Sequence, residues 1–387
     1  MPWRGMSTMD LRRAFVEDYL SEAFAMTELC ETYQISRKTG YKVVGRFEAE
    51  GWAGLADRSR RPHTAPHRVP PTLVAAVLDV RRRKPDWGAR KVRGWLIARQ
   101  PNRAWPSRSA IHAIFTRDGS VRRPSRRPSP SWRRGQGRRL ATAPNDVWTV
   151  DFKGDFRLGN GARCYPLTLR DLASRYTLRC EALDRPALAP TQRGLERAFA
   201  EFGLPACIRS DNGEPFAGPG LAGLSRLNIS WLRLGIAVEQ IDPGRPDQNG
   251  SHEQFHRVLK ARTARPPAAT RTAQQRRFDT FRREYNDERP HEALGDDVPA
   301  QHYAPSPRPF PRRPPRLEYP GHWEPRRVGP NGCIAWRPHP IFLSRALAGQ
   351  WVALEEVADD LWTVHFGTVP LARWVARTQR LRALQRE

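Results

Sequence analysis

The feature that most limits how this chain can fold is an interruption. Residues 122–139, RRPSRRPSPSWRRGQGRR, hold eight arginines and almost nothing that can be buried. A run of this kind cannot pass through a hydrophobic core, because each guanidinium would lose its hydration without gaining a partner. Separate cores must therefore form before and after it. Two further stretches rich in proline and arginine, 57–71 and 304–320, break the apolar pattern again. The expected organisation is a first domain at 1–56, a linker at 57–71, a second helical domain at 72–120, a basic linker at 121–143, a larger domain at 144–303, a Pro-rich linker at 304–325 and a last domain at 326–387.

Before the arm, the apolar residues recur at helical spacing. Leu11, Phe15 and Tyr19 share one face, and 27–51 reads as a helix, a short polar turn and a second helix capped by Ser36. This is a helix-turn-helix pattern, and the start of its second helix would bring Arg37, Lys38 and Lys42 to the major groove of DNA. A plain helical hairpin with a solvated basic face fits the same residues. Further on, WGARKVRGWL (87–96) and the Ser107-capped run 107–115 predict a second, similar unit.

After the arm, the pattern changes to short runs of β-branched and aromatic residues. Strands are expected at 147–152, 164–169 and 176–180, the first two joined by a turn at 159–161. A helix over about 190–202, a strand at 206–209, a helix at 221–234, a strand at 236–241 and helices near 247–262 and 271–288 complete an α/β layer of order β-β-β-α-β-α-β-α-α. Close-spaced strand-like runs at 333–336, 341–343, 351–354 and 361–366 predict a small β-barrel, with Trp336, Trp351 and Trp362 as core aromatics or as a contact surface.

Lys and Arg number 66 against 40 for Asp and Glu, a net charge of +26. Phosphate neutralisation with counterion release makes a polyanion the expected partner. No apolar run is long enough for a membrane span and no signal peptide is readable, so a cytoplasmic, nucleoid-associated protein without a membrane partner is expected. The five cysteines form no C-x-x-C pair, which argues against a disulfide framework or a zinc knuckle.

Three carboxylates stand where strand ends and a helix start can converge: Asp151 at the end of the first strand of the α/β domain, Asp211 after its fourth, and Glu253 early in the helix that follows. Such a cluster suits Mg²⁺, which takes hard oxygen ligands and leaves positions for substrate phosphates. The words around them are WTVDFKG (148–154), RSDNGEPF (209–216), RPDQNGSHEQFHRVLKA (245–261) and YNDERPHEALG (285–295). In this order they resemble the integrase catalytic core of bacterial insertion-sequence transposases, a family with an RNase H-like fold. STMDLRRAFV, SRKTGYK and GLADRSRRPH resemble the helix-turn-helix front ends of one such group.

The resemblance implies that Asp151, Asp211 and Glu253 are the catalytic, metal-binding residues, with two Mg²⁺ (or Mn²⁺) ions and Asp151 as the bridge. It implies cleavage of transposon ends and joining of their 3′-hydroxyls to target DNA, by a homo-oligomer assembled on double-stranded DNA. Asn249, His252, Arg257 and Lys260 would position phosphates, or else simply line the surface of their helix. Asp171 falls at a family position that is acidic but not a ligand, and is expected to cap a turn or strand end. Glu253 follows Asp211 by 42 positions (253 − 211), wider than in retroviral relatives; the excess is expected in the loop 217–227. The His/Cys zinc module of those relatives is missing, so DNA recognition falls to the helix-turn-helix units. Two other readings share these residues: a sequence-specific DNA-binding regulator with a decayed core, and a metal-dependent nuclease without joining activity.

Overall fold

The computed structural model describes residues 7–58, 68–121, 139–218, 221–241, 250–336 and 339–384. Most of the arginine-rich arm, Asn249 and the middle of the first linker lie outside them. The chain forms two compact units, Met1–Arg68 and Val69–Glu387.

The first unit consists of α1 (Thr8–Leu20), α2 (Met26–Thr32) and α3 (Arg37–Glu50) around Phe15, Val16, Leu29, Cys30, Val43, Val44 and Leu55. Helix starts are chemically marked. Ser7 accepts the Asp10 N–H while Asp10 accepts the Ser7 N–H, and Ser36 accepts the Thr39 N–H at the start of α3. A Cβ at Gly40 would lie 2.6 Å from the Cys30 sulfur and 3.1 Å from the Phe15 ring, so glycine is what lets α3 cross α2 this closely. Arg37, Lys38 and Lys42 are exposed on the first turns of α3, with Tyr41 beside them.

The second unit begins with α4 (Pro71–Arg83), α5 (Ala89–Arg99) and α6 (Arg108–Arg117), packed around Val77, Val92, Ile111 and Phe115. A mixed sheet follows: β1 (Val147–Phe152), β2 (Phe156–Arg157), β3 (Arg163–Asp171), β4 (Thr177–Leu183), then α7 (Leu188–Phe202), β5 (Cys207–Ser210), α8 (Arg226–Arg233), β6 (Ala237–Gln240), α9 (Gly250–Thr263) and α10 (Arg271–Asp287). β3 lies antiparallel between β1 and β4, while β5 and β6 run parallel on the other side of β1. The order is the one read from the sequence, with β2 added. Trp148, Val150, Leu167 and Leu169 pack with α7 and α8 on one face. Cys164, Cys180 and Ala182 pack with Phe255, Leu259, Phe278 and Phe281 of α9 and α10 on the other. Both faces are covered, as a sheet with parallel strands requires.

The α4–α6 block is fastened to this core. Arg90 pairs with Asp296 at 2.7 Å, Asp86 with Arg289 at 2.5 Å, and Lys84 with Glu284 and Glu288 at 2.8 and 3.0 Å. The proline-rich stretch is also docked at its start: Ser306 N–H donates to the Phe202 carbonyl at 2.8 Å, and the Arg308 guanidinium caps the carbonyls of Pro205, Leu234 and Gly235.

The C-terminal region is all-β: β7 (Glu324–Arg327), β8 (Cys333–Ile334), β9 (Ile341–Phe342), β10 (Trp351–Ala358), β11 (Leu361–Phe366), β12 (Val369–Val375) and β13 (Arg380–Ala383). The sheet runs β13-β12-β11-β10-β7, with β8-β9 as a separate ribbon. Among the described residues β7 and β13 do not pair, so the sheet is open where a closed barrel is expected. β7 and β12 escaped the sequence reading because arginine and proline interrupt their alternation, and β13 because it spans only four residues. Trp336 and Trp362 meet edge to face at 5.0 Å against the core, whereas Trp351 is 52% exposed. Ile229 of α8 belongs to this C-terminal core, and Leu221 and Leu224 pack on it. The described part of the 217–227 loop thus serves as a docking surface between the two sheets. No helix among the described residues is long and apolar enough to cross a membrane.

Candidate active site

Alternation along a strand sends successive side chains to opposite faces. Trp148 and Val150 of β1 enter the core beneath α7 and α8, which leaves Asp151 on the face toward α9. β1 and β5 are parallel neighbours, with Thr149 beside Arg209, so the chain leaving β5 brings Asp211 to the same sheet edge.

The two carboxylates feel each other. Burial first, then the Asp211 charge, push the Asp151 carboxyl up to about 7, against smaller opposing effects of the Phe152 N–H and of Lys153. Burial also raises Asp211, although its Oδ1 accepts the Gly213 N–H at 3.2 Å. A Cβ at Gly213 would come within 3.3 Å of that carboxylate, so the turn offers bare backbone to Asp211. Two half-buried carboxylates at one sheet edge disfavour carrying both charges at once, a cost that a bound cation would relieve.

Behind Asp151 lies a buried polar cluster. His252 and His256 are four residues apart and share the inner face of α9. Both bring Nε2 to 2.7 Å from the Thr168 hydroxyl, which also reaches the Asp151 carbonyl at 3.1 Å. Thr168 is the cross-strand partner of Asp151. One hydroxyl proton cannot serve three acceptors, so at least one imidazole donates through Nε2–H. Burial depresses both imidazoles, His256 to about 3, and both are neutral at physiological pH. His256 Nδ1 stands 3.9 Å from Asp151 Oδ2. His252, read from the sequence as a phosphate contact or else a surface residue of its helix, is instead wholly buried and pins α9 to β3.

Glu253 occupies the outer face of the first turn of α9. Its side chain is 65% exposed and lies 3.9 Å from Arg257; Lys260, one turn further, is exposed on the same stripe. Among the described residues no three His, Cys, Asp or Glu side chains sit close enough to hold a metal ion. Asp151 and Asp211 are brought together and Glu253 is not. Asp171 caps the end of β3: its Oδ1 accepts the Asn145 N–H at 2.8 Å, and its Oδ2 accepts the Ser174 N–H and hydroxyl at 2.7 and 2.6 Å. Thr168, His256 and Lys153 escaped the sequence reading. The histidine pair was visible as H-x-x-x-H at helical spacing, but nothing local revealed which way it faces.

Comparison with known proteins agrees with this architecture. An integrase core domain family matches residues 141–246 and a second of the same description matches 234–299; a helix-turn-helix domain matches 11–63 and a homeodomain-like domain 39–115. The chain is 27% identical over 279 residues to the 31.7 kDa protein of insertion element IS407 from Burkholderia multivorans, covering 71% of this chain and 93% of that protein. It is 28% identical over 253 residues to the 39.2 kDa protein of insertion element IS476 from Xanthomonas euvesicatoria, covering 64% and 69%. Among solved structures, the HTLV-2 integrase catalytic core domain in complex with magnesium is similar at TM-score 0.34 and 14% identity, over 42% of this chain and all of that one.

Proposed function

We propose, for a chain that belongs with the integrase-core proteins of bacterial insertion elements and carries their helix-turn-helix front end, that it is a transposase which cuts the ends of its element and joins the freed 3′-hydroxyls to target DNA. The observation that carries this reading is the pair Asp151 and Asp211 at adjacent ends of parallel strands, where burial and mutual repulsion oppose the doubly charged state. Hard carboxylate oxygens in that situation fit Mg²⁺ or Mn²⁺. Asp151, Asp211 and Glu253 would hold two such ions, Glu253 being the one acidic residue of α9, three positions before the histidine that approaches Asp151. Bound there, the ions would lower the pKa of a water or 3′-hydroxyl and stabilise the leaving oxygen of an in-line displacement at phosphorus.

The chain's own residues do the positioning. The Thr168–His252–His256 cluster fixes α9 relative to β1 and β3. Arg257 and Lys260 present positive charge on the Glu253 stripe, suited to strand phosphates. The segments 1–56 and 72–120 supply end recognition, and two ends joined to one target call for at least two protomers on the DNA.

The deciding experiment incubates the purified chain with duplexes from the borders of its own gene. With Mg²⁺, nicked ends bearing 3′-hydroxyls and joined products are expected; with EDTA, duplex binding should persist and both products should vanish. Binding without cleavage under any divalent ion would overturn the reading in favour of a DNA-binding regulator, and cleavage without joining in favour of a nuclease. Arg37→Ala or Lys38→Ala should weaken binding to those borders by about 1–3 kcal/mol where the side chain reads a base edge, measured as the ratio of Kd for border and random duplexes. An unchanged ratio in both variants would remove α3 from recognition.

A further inference from the structure

One cavity at the start of α9 gathers more positive charge than its walls neutralise. It has a volume of about 620 Å³ and opens between α5, the first turn of α9 and the residues that follow α10. Arg170 of β3, Arg175 of the β3–β4 turn, Lys91 of α5 and Arg289 beyond α10 all line it.

Their partners are mostly neutral. Arg170 is 2% exposed; it donates to the Ser251 carbonyl at 3.0 Å, the Tyr285 hydroxyl at 3.2 Å and the Arg175 carbonyl at 3.3 Å, and its Nε has no hydrogen-bond partner. Arg175 donates to Ser251 Oγ at 2.8 Å and Lys91 to the Pro290 carbonyl at 2.6 Å. Arg289 is matched by Asp86, and the carboxylate in the wall, Glu292, pairs with Arg90. Among the described residues no carboxylate lies within ion-pair distance of Lys91, Arg170 or Arg175. His291 feels the sum: after burial, the charges of Lys91, Arg170, Arg289 and Arg175 depress its pKa, and its Nε2 is also without a partner.

Arg170, a buried cation that faces neutral dipoles and the rings of Phe255 and Tyr285, is costly in a low dielectric, and an anion entering between it and the half-buried Lys91 and Arg175 would relieve that cost. Gly250 and Ser251, which open α9, line the same space and add the positive end of a helix of 14 residues. We propose that this cavity is a phosphate seat, which takes a phosphodiester of the DNA strand passing the catalytic carboxylates. The proposal rests on the DNA-processing reading above. Because Lys91 comes from the α4–α6 block and the arginines from the core, an occupied seat holds block and core on one strand.

The test uses the full chain and a fluorescein-labelled duplex of random sequence, with binding followed by anisotropy as KCl is raised. Lys91→Gln and Arg175→Gln, both checked for an unchanged melting curve, should each weaken binding roughly three- to tenfold and lower the slope of log K against log [KCl] by about one. Arg193→Gln, an exposed arginine on α7, controls for charge alone and should change the slope much less. Wild-type affinity and slope in both seat variants, or an equal effect of Arg193→Gln, overturns the proposal. Calorimetric titration with inorganic phosphate separates the sources. Phosphate binding lost in Arg175→Gln with duplex binding intact would give the seat to free phosphate and overturn the DNA assignment. A wild-type protein that shows the seat-dependent slope yet never cuts DNA would sink the transposase reading and leave the seat standing.

Discussion

Asp151→Asn, Asp211→Asn and Glu253→Gln are each expected to abolish metal-dependent cutting and joining while duplex binding stays near wild type. Loss of one anionic ligand removes several kcal/mol of transition-state charge stabilisation, which is roughly a thousandfold or more in rate. Binding survives because α3 lies in a different unit of the chain from all three carboxylates. The Asp151→Asn variant carries a second expectation that separates chemistry from misfolding. An acid whose pKa is raised on folding holds more protons in the native than in the unfolded state, so it subtracts stability as pH rises from about 4 toward 7. An amide at this position does not titrate and lacks that penalty, so the metal-free variant should melt no lower than wild type at pH 7. Wild-type joining by any of the three variants would sink the site assignment. Asp171→Asn is the internal control: it leaves one of the hydrogen bonds at its cap unmade, at about 1–3 kcal/mol, and should still cut DNA once folded.

The second large effect is expected at Thr168. Its hydroxyl is the shared partner of His252 Nε2 and His256 Nε2. Thr168→Val keeps the shape and strands two buried imidazole nitrogens, each worth about 1–3 kcal/mol when left unpaired. A loss of about 2–4 kcal/mol is expected, less than the simple sum because neighbouring sites couple. Urea denaturation measures it. Since the cluster fixes α9 beside Asp151, the cutting rate should fall further than the unfolded fraction explains, with recovery in Thr168→Ser. Wild-type stability and activity in Thr168→Val would show that the two histidines find other partners and that the cluster positions nothing.

Much of the architecture is legible in the sequence alone. Alternating strands around Asp151, the D-N-G turn after Asp211 and the Ser36 cap of α3 are local patterns, and local backbone chemistry is enough to specify each. Asp171 was likewise readable as a cap, because Ser174, three residues on in the turn, is one of its partners; the other, Asn145, comes from 26 residues earlier. The short strands of the C-terminal sheet were partly lost, since arginines and prolines in β7 and β12 mask a period-two pattern that pairing with β10 and β11 restores.

By itself the sequence determined the order of the main elements of the α/β core, the two aspartates at strand ends and the basic first turn of α3, all set by residues within a few positions of one another. Tertiary structure alone decided that His252 turns inward to a threonine 84 residues earlier, that Lys91 meets the carbonyl of a proline 199 residues later, and that the first part of the proline-rich stretch is docked rather than free. Burial and charge matching are sums over neighbours in space, and neighbours brought from so far along the chain leave no periodic trace in any one segment of it.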